Sequence, residues 1–69
     1  MSATPRRQLV ARSVRRQLEA LGHSSEWLAD QTGLTTQVLA PRLAGDEPFD
    51  VDQLQAVAVA LDLTINDLI

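Results

Sequence analysis

The side chains able to do chemistry in this 69-residue sequence are few: nine carboxylates, six arginines, one histidine, and neither cysteine nor lysine. A serine or threonine nucleophile needs a general base within reach, and the single histidine, His23, follows Gly22 in a turn. The close carboxylate pairs, Asp50 with Asp52 and Asp62 with Asp67, stand near helix starts, where capping explains them. Without cysteines or a second histidine, no thiolate or multi-histidine metal cage forms within one chain. The spacing of Gly22, Gly33 and Gly45 is punctuation between helices and lacks the form of a phosphate-cradling loop. The sequence therefore predicts no catalytic residue, metal ligand, cofactor or small-molecule ligand. What remains is ionic and polar surface.

The charge is unevenly placed. From Met1 to Ser24 five arginines (Arg6, Arg7, Arg12, Arg15, Arg16) face one acid, Glu19, for a net +4. From Ser25 to Ile69 one arginine, Arg42, faces eight acids, for a net −7 and a total of −3. Such a split concerns partners and steering rather than fold. It suits the N-terminal part to anions and the stretch with Asp46, Glu47, Asp50 and Asp52 to a basic partner. The early arginines leave no apolar core for a signal peptide, and no apolar run approaches the roughly 20 residues of a membrane span. A cytoplasmic protein with no membrane partner is expected.

These residues must be positioned by helices. Hydrophobic residues make up 45% of the chain and charged residues 22%, which is globular rather than disordered composition. Apolar positions recur at helical spacing, with glycine or proline at each break. Thr4-Pro5 predicts the first start, with threonine capping and proline at the first helical position. Val10, Val14, Leu18 and Leu21 form one stripe, and Gly22 ends it. A short second helix from Ser24 carries Leu28 and Ala29 and stops at Gly33. Thr35 caps a third with Val38, Leu39 and Leu43, closed by Gly45. Pro41 lies inside it and predicts a kink, a later start or an early stop. Asp50 or Val51 opens a fourth, with Leu54, Val57, Ala58 and Leu61 inward, and Thr64 caps a last turn. The expectation is a single all-α, five-helix domain spanning residues 1–69, with 1–5 a flexible arm.

The junction through Gly33-Leu34-Thr35 is the most informative feature. Small Ala29 permits close approach of the third helix, Gly33 supplies a positive φ, and Leu34 and Leu39 fill the gap. Together with Ser24, Gly45, Pro48-Phe49 and the ending Leu61-Asp62-Leu63-Thr64-Ile65-Asn66-Asp67-Leu68, it resembles the Cro/repressor-type (XRE-like) helix-turn-helix family. The segment Arg42-Leu43-Ala44-Gly45 before Pro48-Phe49-Asp50 is similar to a variant of actinobacterial and actinophage members. The resemblance covers about residues 8 to 69 and implies a lambda-repressor-like domain, with the helix-turn-helix at the second and third helices.

That resemblance implies a DNA-binding transcriptional regulator acting as a dimer on double-stranded DNA. Ser24 and Ser25 match phosphate-bonding positions. Thr35, Thr36 and Gln37, with Ala40 a turn later, match groove-facing positions. A glutamine amide can pair bidentately with an adenine edge, and Arg42 can hold a phosphate or a guanine. Arg6, Arg7 and Arg12 would anchor the backbone: a solvated face explains Arg12 equally well, whereas Arg6 and Arg7 lie before or at the first turn, where an arm could reach DNA. Three departures from the family pattern are Pro41 within the third helix, Arg42 at an aliphatic core position and Asp46-Glu47 where basic residues are usual. They sustain an alternative, a protein-binding module on the same fold, such as a phage-encoded antagonist of a host protein. Val59 and Ile69 are expected at a homodimer contact or, as spare apolar surface, at none. Trp27 is expected to pack on the first helix or to face a partner.

Overall fold

The computed structural model describes residues 3–68. It contains α1 (Arg6–Leu21), α2 (Ser25–Thr32), α3 (Thr36–Ala44), α4 (Val51–Ala60) and α5 (Ile65–Leu68), with no strand among the described residues. None of these helices is long and apolar enough to cross a membrane.

Three starts are made by side chains that accept from otherwise unpaired backbone N–H groups. Ser24 accepts from the Trp27 N–H, Thr35 from Val38 and Asp50 from Gln53. Gln53 returns the bond to the Asp50 N–H, completing a capping box. The outer helices correct the sequence expectation. Pro5 occupies the N-cap of α1 rather than its first turn, no side chain caps that end, and Thr4 is exposed. At α5 Thr64 is a donor rather than the capping acceptor: its N–H and hydroxyl both donate to Asp67, at 2.9 and 3.0 Å. Those bonds hold the Asp67 carboxyl below its ordinary range, the backbone N–H contributing most.

The helix ends share one backbone device. Gly22, Gly33 and Gly45 are left-handed at the ends of α1, α2 and α3. After α4 the same conformation falls on Asp62, at φ 58°, and the Leu63 N–H donates back to the Ala58 carbonyl at 2.8 Å.

Pro41 neither delays nor stops α3, which runs unbroken through it. The one helical bond it forfeits is to the Gln37 carbonyl. Gln37 is exposed, so water can supply that partner. The Pro41 carbonyl meanwhile accepts from the Asp46 N–H at 3.0 Å, closing the far end of the helix.

The core gathers Val10, Val14 and Leu18 of α1, Leu28 and Ala29 of α2, Leu39 and Leu43 of α3, Val57 and Ala58 of α4, and Leu61 and Leu68. Full burial of each large aliphatic side chain contributes about 1.5–3 kcal/mol. Two stripe residues fall short of it. Leu21 is half exposed where α1 runs out past its neighbours, and Leu54 packs on the core from the edge. α1 packs on α3 and α5, while α2 packs on α3 and α4. α3 is thus held from both sides with one face outward.

Candidate nucleic-acid interface

The turn before α3 is built to fix its first residues. Gly33, at φ 75°, donates to the Ala29 carbonyl at 3.0 Å. Thr32 donates its hydroxyl to the Leu28 carbonyl at 2.8 Å and accepts from the Leu34 N–H at 3.3 Å, so the turn closes with its polar groups paired. Leu34 packs against the core and Leu39 is fully buried. Ahead of that anchor Thr36 and Gln37 are exposed, and neither side chain makes a hydrogen bond among the described residues. Thr35 accepts from Val38, which leaves its hydroxyl proton free for an outside acceptor.

The other end of α3 is clamped. Arg42 donates from Nε to Gln53 Oε1 at 2.9 Å and from Nη1 to the Val38 carbonyl at 2.8 Å. It also pairs with Glu47 at 3.4 Å, the one ion pair among the described residues. An arginine stands at this edge of the core because three partners receive its charge. The guanidinium expected to hold a phosphate or guanine is thereby engaged within the chain. Arg15 reaches from α1 to donate to the Leu43 carbonyl. Gly45 is buried beneath Gln8 and left-handed at φ 85°. A Cβ there would lie 3.1 Å from Gln8 Cγ.

Around this helix the expected anion-binding residues lie open. Ser24 and Ser25 at the start of α2 are exposed. Ser24 uses an acceptor lone pair on Trp27, leaving its proton to donate, and Ser25 makes a long contact of 3.4 Å with Glu26. Arg6, Arg7 and Arg12 are exposed. At about 100° per residue, Arg12 stands about 40° around α1 from Gln8 and about 60° from Arg15, the two residues that touch the α3 end. Arg12 therefore flanks that end of α3. Arg6 and Arg7 instead line a small apolar cleft of about 160 Å³ with Val10, Pro48, Phe49 and Leu54. Of the acids after α3, Glu47 faces Arg42 and Asp50 caps α4, while Asp46 and Asp52 are exposed without an ion pair among the described residues.

Trp27 is half-buried against the core, and His23 stacks on it with centroids 3.7 Å apart and planes 4° apart. Val59 is 67% exposed on α4, and Ile69 lies outside the described residues. Sequence reasoning missed Gln53, Gln8 and Arg15 as supports of α3. Only Gln53 carried a signal, three residues after Asp50 as a capping box requires.

No family model matches the sequence, and no curated protein matches it. Among solved structures the chain resembles the restriction-modification controller protein C.AhdI from Aeromonas hydrophila, with a TM-score of 0.85 and 24% sequence identity. The match covers 91% of this chain and 96% of that one. The chain thus has the five-helix, lambda-repressor-like helix-turn-helix fold, matched over nearly its whole length.

Proposed function

We propose that this protein is a transcriptional regulator that binds double-stranded DNA with sequence preference through α3. The observation that carries the reading is the contrast along that helix. Thr36 and Gln37 are exposed and unengaged, while the residues behind them are pinned by Leu39, Arg42 and Gly45. A reading helix needs such preorganisation, because base contacts require fixed geometry. Ser24, Ser25, Thr35 and Arg12 supply backbone contacts and Gln37 reads a base edge. Arg6 and Arg7 reach the backbone from the start of α1. Arg42 belongs to the scaffold in this assignment. The fold shared with a restriction-modification controller protein supports the same class of function.

Two copies would act together, meeting through α4 around exposed Val59, on an operator of matching two-fold symmetry. The loop pattern from Arg42 to Asp50 is the ground for assigning the actinobacterial-type variant. A second reading, a module for a basic protein, is favoured by exposed Asp46 and Asp52 beside α3, where a phosphate chain would be repelled.

Retention of random-sequence duplexes on the purified protein at rising salt separates the two. DNA binding predicts retention at low salt that falls steeply with salt, and Arg12→Ala weakens it evenly across sequences. Gln37→Ala relaxes the preference at one position. Absence of retained duplex at low salt overturns the proposal and leaves the protein-binding reading.

A further inference from the structure

We propose that α3 selects sites by seating a thymine methyl group on Ala40 and the Pro41 ring, one turn below an adenine held by Gln37. This rests on the reading of α3 as the groove-facing helix.

The side chains on the outward face of α3 are mostly apolar. At about 100° per residue, Ala40 lies about 40° from Thr36, and Pro41 about 40° from Gln37. The two rows stand side by side, and Thr36, Gln37, Ala40 and Ala44 are all exposed while Pro41 is half-buried. The one side-chain amide on this face is Gln37 and the one hydroxyl is Thr36; the other side chains present only CH surface. The only cation of α3, Arg42, is committed to Gln53, the Val38 carbonyl and Glu47. Guanine, read best by a bidentate arginine or lysine, therefore has no strong reader here. Adenine has one in Gln37, and the thymine C5-methyl is the one apolar feature of the major groove.

Proline strengthens this selectivity in a way alanine would not. Its ring presents rigid methylenes at no side-chain entropy cost, where alanine would offer a single methyl group. Gln37 and Pro41 are about 6 Å apart along the axis at about 1.5 Å per residue. Base pairs rise about 3.4 Å each. The amide and the ring thus address pairs one or two steps apart, and the preferred site contains an adenine with a thymine methyl at that distance.

The test takes a duplex selected by the full chain and replaces each thymidine in turn with deoxyuridine, which removes the methyl alone. Binding is expected to weaken about 3- to 10-fold at one or two positions and nowhere else, as loss of one buried methyl implies. In Pro41→Ser that uracil penalty shrinks while the adenine preference persists, and in Gln37→Ala the reverse holds. Circular dichroism establishes that both variants fold. Uracil substitutions that leave binding unchanged at every position overturn the proposal while DNA reading stands, as does a selected site built on guanine at the α3 contacts. Failure to select any duplex overturns the DNA reading itself.

Discussion

The two halves of α3 have opposite relations to the rest of the chain. Its first turn, at Thr36 and Gln37, is held by the Thr35 hydroxyl accepting from the Val38 N–H and leaves the Thr36 and Gln37 side chains unspent. Its last turn is bound by side chains from three places: Arg42 to Gln53 on α4, Arg15 of α1 to the Leu43 carbonyl, and Gln8 over Gly45. The difference teaches that a short helix can expose its front because its rear is over-determined. Substitutions at the rear should then register in stability and those at the front in recognition.

Gly45→Ala should break the rear most severely. The left-handed backbone and the 3.1 Å approach to Gln8 both oppose a methyl group, for a loss of about 2 kcal/mol read by urea denaturation. Arg42→Met comes next. It keeps the apolar stem but removes the bonds to Gln53 and Val38, and because the site is partly open to solvent the loss is about 1–2 kcal/mol. Gln37→Ala is the control that sharpens the comparison. An exposed and unengaged side chain should shift the same denaturation midpoint by no more than about 0.5 kcal/mol. A Gln37→Ala loss as large as that of Gly45→Ala would erase the distinction between the halves.

What could be read from the sequence followed range. Local devices were legible because their partners lie within four residues: the caps Ser24, Thr35 and Asp50, the turn at Gly33, and the apolar stripes of α1 and α4. Thr4 misled because a capping residue type signals a start only if the chain turns there, and the turn falls one residue later, at Pro5. Pro41 allowed a kink, a later start or an early stop, and α3 neither starts late nor stops short; a single proline does not fix which outcome follows, because packing on both sides can hold the helix through it. The supports of α3 were illegible for a different reason. Arg15 and Leu43 are 28 residues apart, and periodicity assigns a face to each helix without saying which end of another helix that face meets. Thr36 and Gln37 were legible only through the family resemblance, since exposed polar residues carry no periodic signal of their own.

Asp62 has a consequence of its own. α1, α2 and α3 each end on a glycine, which takes the left-handed conformation without strain, whereas α4 ends by forcing an aspartate into it. About 1 kcal/mol is held at that joint, and beyond it α5 has four residues, Ile65–Leu68, fastened by the Thr64–Asp67 bonds and by Leu68 in the core. The relief of that strain favours opening there before anywhere else in the bundle. Among the hydrogen-bonded helical amides, exchange should accordingly be fastest at Asp67 and Leu68, and Asp62→Gly should slow it at those two amides more than in α1 or α3.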